Sequence, residues 1–297
     1  MDLLGTGGTW YRGCTHTHTT NSDGELTPQE VVTAYKAAGF DFLFITDHDR
    51  ITDPAPLQGQ GILLIPGAEY WWPFPDEKVD YHLVALGPQR DPAILPNKAA
   101  SIQEAIDVIR ATGAMVVLAH PYWCGLVHHQ MIGIERIIGL EVYNHVCEVE
   151  VMRGYSRPHW DELLAAGKQL YGLAADDAHW RGDRDSVGSW ITVRADDLTP
   201  AAILDAIGRG LFYASSGPVI HDLRMEDHHL IVNCSPARAV NFMGRHSSGC
   251  TYHNDNGPIT EIRHPMRGNE RYLRVEVVGE DGTIAWSNPV YIEGIAK

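Results

Sequence analysis

Short apolar runs recur along the first two thirds of the chain, each closed by a polar or glycine-containing turn. Stretches 40–46 (FDFLFIT), 62–67 (ILLIPG), 81–87 (YHLVALG), 114–121 (AMVVLAHP), 140–144 (LEVYN), 169–176 (QLYGLAAD) and 190–195 (WITVRA) have the length and residue types of strands. Helical patterns lie between several of them. The sharpest covers 28–38. Thr27 stands at its N-cap, Pro28 at the first helical position and Glu30 at the third, where its side chain completes a capping box; Gly39 then stops the helix. Segments 97–113, 157–167 and 199–210 are further helix candidates, the last two with proline at the start. Strand and helix in repeating order predict an α/β fold with a parallel sheet or barrel. From about Ser216 the pattern changes. Stretches 230–235, 271–280 and 283–293 alternate apolar and polar positions between Gly, Asn and Pro, without a helical period. The chain is therefore expected to divide into an α/β unit over 1–215 and a small antiparallel β-domain over 216–297.

Composition narrows the partners. A formal net charge of −15 on 297 residues leaves no basic face to neutralise a nucleic-acid polymer. A small phosphate substrate remains open, because bound metal ions reverse the local sign of a site. The five cysteines, at 14, 124, 147, 234 and 250, form no CxxC pair, and an odd, irregular set fits a reducing compartment. The opening MDLLGTGGTW has no basic n-region and no long apolar core, and no apolar run approaches a membrane span. A cytoplasmic location is expected.

The candidate chemistry sits at the boundaries of the strands. In CTHTHTTNSDG (14–24), His16 and His18 are two apart, so an extended backbone aims both imidazoles at one point, with Asp23 close behind. ITDHDR places His48 between Asp47 and Asp49. PGAEY supplies Glu69, HLVALG His82, LAHP His120, and ADDAH both Asp177 and His179. A single histidine such as His82 or His120 is, taken alone, more often a hydrogen-bonded structural residue than a ligand. Their ordered recurrence at strand ends is what points to metal, because loops from different strands meet at the C-terminal end of an α/β barrel. Imidazole and carboxylate suit Zn, Mn or Fe. Nine such groups exceed the four to six ligands of one ion and call for two or three ions sharing a carboxylate.

Other residues are open to two readings. Asp47 and Asp49 either orient ligand imidazoles or are solvated turn carboxylates. Arg181 and Arg184 follow His179 and are candidate phosphate clamps, or members of a solvated loop; Asn144 is a candidate hydrogen-bond partner for substrate. Tyr70, Trp71, Trp72, Tyr122, Trp123 and Trp180 adjoin ligand positions, where they either pack the barrel or stack on an aromatic leaving group.

Taken in order, HTHTTNSDG, ITDHD, PGAEY, HLVALG, AHP, EVYN and ADDAH resemble the motifs of the polymerase and histidinol phosphatase (PHP) family of metal-dependent hydrolases, over about residues 10–180. GRGLFYASSGP and AWSNPVYI further resemble its carbaryl hydrolase-like branch, which carries a C-terminal β-domain. The resemblance implies a distorted (β/α)7 barrel with a trinuclear site. His16, His18, Glu69 and Asp177 would hold one metal. Glu69 would bridge to a second, held also by His82 and His120. Asp23, His48 and His179 would hold the third, with Asp23 standing where some members have histidine. On this pattern Glu69, Asp177 and His179 are the catalytic candidates, and a water shared by two metals loses its proton near neutral pH and attacks. The expected activity is hydrolysis of a small phosphate ester. The alternatives are hydrolysis of a carboxylic or carbamic ester, as in the carbaryl branch, and an iron-dependent oxidation on the same ligands.

Overall fold

Thr27 begins the first helix as its sequence requires. Glu30 N–H donates to the Thr27 hydroxyl (3.3 Å), Thr27 N–H donates to the Glu30 carboxylate (2.8 Å), and Gly39 ends the turn at φ +80°. Such a cap is worth about 1 kcal/mol. The structure, a computed structural model, describes residues 2–5, 7–74, 79–182, 184–255, 257–268 and 270–292.

The strands of the first part are β1 (Thr9–Cys14), β2 (Phe42–Ile45), β3 (Leu63–Phe74), β4 (Val79–Leu86), β5 (Met115–Leu118), β6 (Gly139–Asn144), β7 (Tyr171–Ala175), β8 (Trp190–Ala195) and β9 (Phe212–Ser215). The helices are α1 (Pro28–Ala37), α2 (Ile102–Arg110), α3 (His128–Met131), α4 (His145–Val151), α5 (Arg157–Ala165) and α6 (Pro200–Gly208). The expected helix over 97–113 is shorter, because Ser101 caps Glu104 N–H (3.1 Å) and Pro96–Lys98 forms a separate 3₁₀ turn.

The fold is mixed α/β around one large sheet, and that sheet is not uniformly parallel. β1–β2, β2–β3, β5–β6 and β6–β7 pair parallel, whereas β4 runs antiparallel to both β3 and β5. The step from Phe74 to Val79 is far too short for the crossover of a dozen or more residues that a parallel pair needs. Past the ends of β1 and β7, Thr17 and Ala178 form a parallel bridge, which closes the path β1 to β7 into a ring. His16 and His18 lie in this bridged extension rather than within β1: Asp177 N–H donates to His16 C=O (2.9 Å) and His18 N–H to Ala178 C=O (2.9 Å).

The rest of the chain forms β10 (Ile220–Glu226), β11 (His229–Ala237), β12 (Ala239–Gly244), β13 (Gly249–His253), β14 (Ile259–Pro265), β15 (Tyr272–Val278), β16 (Ile284–Ser287) and β17 (Val290–Tyr291). β10, β11 and β14 make a separate antiparallel sheet. The others continue the main sheet, because β16 pairs with β9, with Trp286 opposite Ala214. Trp286 is fully buried and stacks on Tyr143 at 5.7 Å between centroids. Arg274, also fully buried, donates to Asp161 on α5 (2.9 and 2.8 Å) and to Glu276 (2.6 Å). The apolar core of the ring thus extends into the C-terminal strands. Among the described residues, no helix is long and apolar enough to cross a membrane.

Candidate metal centre

The nine ligand-type residues named from the sequence meet at the C-terminal side of the ring. Among the described residues four sets of donor atoms lie close together: three fall within the nine, namely His16, His18, Glu69 and Asp177; Glu69, His82 and His120; and His18, Asp23, His48 and His179; the fourth joins His16 and His120 to Glu141. Glu69 is almost wholly buried and divides its oxygens between the sets. Its Oε1 lies 2.8 Å from His82 and 3.2 Å from His120, and its Oε2 lies 3.2 Å from His16, 3.3 Å from His18 and 3.1 Å from His48. The floor of the site is closed and its mouth open: His16 and His18 have no exposed surface, while the side chains of His48 and Asp23 are 31% and 43% exposed.

The turns that present these groups are strained. His120, just past β5, has φ +27°, and Asp177, just past β7, has φ +58°. Non-glycine residues persist in such conformations only when their surroundings hold them there. Those surroundings are chiefly Glu141, whose place within EVYN gives no local sign of this role, and Asn144. Glu141 is buried beneath the site. It lies 2.7 Å from His16 Nδ1, and its other oxygen accepts from His120 N–H (3.0 Å) and from Asn144 Nδ2 (2.8 Å). Asn144 is wholly buried. Its Nδ2 also donates to Asp177 (3.2 Å), and its Oδ1 caps α4 at Cys147 N–H (3.0 Å), so it braces the carboxylates.

Among the described residues the Asp47 carboxylate has no hydrogen bond to an imidazole. Buried, it accepts from Thr19 N–H (2.8 Å), from the Thr19 and Ser22 hydroxyls and from Thr52, and so pins the loop that carries His18 and Asp23. Asp49 accepts from Trp71 Nε1 (3.0 Å). Arg181 reaches the site, where its Nη2 donates to Asp23 Oδ2 (3.0 Å). Arg184 is exposed and is not among the residues lining the pocket; its carbonyl lies 2.8 Å from His145 Nε2. Cys14 is buried against Tyr35 and the His16 carbonyl, and burial pushes its thiol up to about 12, the setting of a structural cysteine.

The donor set fits metal ions. His16 Nδ1 is taken up by Glu141, so the proton of a neutral ring sits there and Nε2 carries a lone pair. That lone pair lies 3.2 Å from His18 Nε2 and 3.2 Å from carboxylate oxygens of both Glu69 and Asp177. Convergent lone pairs of this kind repel unless a cation sits among them. Without an ion, protons take that place. Burial disfavours charge on His16 and His18, yet Asp177 and Glu69 outweigh it, raising His16 well above the usual histidine range and His18 to about 9. Burial likewise disfavours charge on Glu69 and Asp177, and the surrounding imidazoles override it, holding both carboxyls below their usual range.

Seven of the nine ligand-type residues, all but His16 and His18, line a pocket of about 230 Å³ together with Trp123, Val146, Cys147, Glu150 and Arg181. Among the six aromatics flanking ligand positions, Trp123 alone lines it. Tyr70 and Trp72 are buried, and Trp180 packs edge-on against Tyr35.

No protein-family model matches the sequence, and no curated protein matches it. The fold is shared with solved structures. A two-domain protein from Bacteroides vulgatus, described as containing a predicted PHP-like metal-dependent phosphoesterase, aligns over 95% of this chain and 96% of its own at TM-score 0.55 and 15% identity. A protein from Bifidobacterium adolescentis described as a metal-dependent phosphoesterase aligns over 67% of this chain and 96% of its own (TM-score 0.48, 19% identity). A lesion-specific endonuclease from Pyrococcus furiosus aligns over 68% and 56% (TM-score 0.42, 12% identity). The chain therefore shares its fold with the two-domain protein that contains a predicted PHP-like phosphoesterase, and it clusters side chains of metal-ligand type.

Proposed function

We infer that the protein is a metal-dependent phosphoesterase of the PHP type, acting on a small phosphate ester with two or three divalent ions of Mn, Zn or Fe. The observation that carries this reading is the division of Glu69 between two donor sets, beside a third that shares His18. His16, His18, Glu69 and Asp177 would hold one ion, Glu69, His82 and His120 a second, and Asp23, His48 and His179 a third. Bound there, the ions would acidify a water and draw charge from the phosphoryl oxygens. The chain's own residues orient the reaction. Glu141 fixes the His16 ring, the Asp177 carbonyl accepts from His179 Nδ1 (2.7 Å) and turns Nε2 towards Asp23, and Arg181 offers the remaining face of its guanidinium to a phosphate oxygen. The ring of β1–β7 supports reading the first part of the chain as a distorted (β/α)7 barrel. A net charge of −15 and a 230 Å³ pocket favour a small molecule over a nucleic-acid polymer.

A second reading, hydrolysis of a carboxylic or carbamic ester, draws on one observation: the pocket's arginine is already paired with Asp23, so an uncharged ester would leave no group unmatched. Elemental analysis, followed by kcat/KM for matched aryl phosphates and aryl carbamates in wild type and Asp23→Ala, separates the two. Phosphate turnover that falls about 10²-fold in the variant supports the first, on the scale of one lost oxyanion stabiliser. A wild type that ignores every phosphate ester and cleaves the carbamate overturns it.

A further inference from the structure

The pocket has a side that the metal chemistry does not use. Trp123 is 41% exposed, although it stands against the buried imidazole of His120 and the half-buried one of His82. Its ring lies 5.1 Å from that of His120 and 5.8 Å from that of His82, close to perpendicular to both. Val146 and Cys147, on the first turn of α4, continue the apolar surface. That turn is tied to the metal centre, because Asn144 caps α4 with one atom and holds Glu141 and Asp177 with another. The last lining residue on α4 is Glu150, exposed and without a hydrogen bond or ion pair to any described residue.

We propose that Trp123, Val146 and Cys147 form a subsite for a flat apolar group, and that Glu150 turns away a second anion, so that the substrate is the monophosphate of an aryl or arylalkyl alcohol. The proposal rests on the phosphoesterase reading. Trp123 already stands within the 4.5–7 Å over which aromatic rings attract each other from both imidazoles, and its exposed surface offers a substrate ring a contact of the same kind. An indole exposed to water gains nothing from packing on that face, and covering it with the substrate's ring removes apolar surface of both from water. The phosphoryl group belongs at the donor sets. A bisphosphate would then bring its second anion towards the unpaired Glu150 carboxylate, while Arg181, the one arginine or lysine among the described residues lining the pocket, is held by Asp23.

The test uses the metal-loaded full chain with benzyl phosphate and propyl phosphate, whose leaving alcohols have similar basicity, so that their ratio reports recognition rather than intrinsic reactivity. Wild type should prefer benzyl phosphate in kcat/KM. Trp123→Ala should cut that preference about tenfold, the scale of one lost aromatic contact with its buried area. Trp123→Leu, which keeps apolar volume without a flat ring, should also cut it, and Trp123→Phe should retain most of it; these two stand in should the alanine variant fail to fold. Glu150→Gln should raise turnover of propane-1,3-diyl bisphosphate relative to propyl phosphate roughly fivefold, the scale of one solvent-exposed like-charge contact. A benzyl-to-propyl ratio near one in wild type, or one unchanged in Trp123→Ala and Trp123→Leu, overturns the subsite. Absence of turnover for both esters overturns the phosphoesterase reading instead. The same ratio, read as calorimetric Kd values for the two phosphates, then decides the subsite by itself.

Discussion

Glu69 belongs to two donor sets and meets them with different carboxylate oxygens. Glu69→Gln replaces one of those oxygens with an amide and removes the negative charge. The expected result is loss of two ions per chain by elemental analysis and a fall in turnover of about 10²–10³ or more, with the far-ultraviolet circular dichroism unchanged. Retention of both ions at near wild-type rate would show that Glu69 is not the bridge. Glu141 acts at one remove, through His16 Nδ1 and His120 N–H. Glu141→Gln should weaken metal affinity about 10–100-fold, as loss of a charged partner behind a ligating histidine does. Competition against a chelator measures this independently of turnover.

At the level of elements, the strand ends position the ligands and the buried charges of α5 and β15 hold the two parts of the chain together. Arg274 has no exposed surface and depends on Asp161 and Glu276. Glu276→Ala leaves that guanidinium short of a partner in a dry interface. The expected loss is about 3–5 kcal/mol, the cost of breaking a buried pair from one side, read from denaturant unfolding. Burial works against the Glu276 charge, but Arg274 and Arg157 outweigh it and hold the carboxyl below its usual value. Its contribution is therefore fully present above about pH 4.5, the ordinary glutamate range, and is lost as pH falls through the lower folded value. Asp161 shifts the other way, because burial raises it in spite of Arg274, and so it offsets part of that acid sensitivity. A wild-type acid unfolding curve steeper than that of Glu276→Gln is the expected signature.

At the scale of the whole molecule, the sheet crosses the boundary that composition suggests near residue 215. β9 ends at Ser215 and pairs with β16, and Trp286 fills the space beside Tyr143 and Tyr155. Removing 216–297 would leave the hydrogen-bonding edge of β9 open and uncover the apolar surface beneath Trp286, an aggregation-prone combination. The truncated chain should precipitate, whereas the full chain should unfold in a single calorimetric transition. Two resolved transitions, with a soluble 1–215 fragment, would show that the parts are independent.

Much of this protein follows from local chemistry. The capping residues Thr27, Pro28 and Glu30 define α1 within the chain itself. Period and turn residues locate most strands of the ring, and the histidines and acids that close them can be recognised one by one. What local sequence does not carry is which groups stand behind others. Glu141 and Asn144 read as one strand end with a substrate-facing amide, yet the packing of β6 against β7 turns both inward to brace His16 and Asp177. Arg181 and Arg184 are equivalent in sequence, and only the path of the loop brings one to Asp23. Six aromatics adjoin ligands along the chain, and the closing of the ring leaves Trp123 in the pocket and buries Tyr70 and Trp72. The antiparallel β4 and the junction of β9 with β16 have the same origin. Secondary structure depends on neighbours in sequence, whereas the pairing of distant strands depends on which buried faces match.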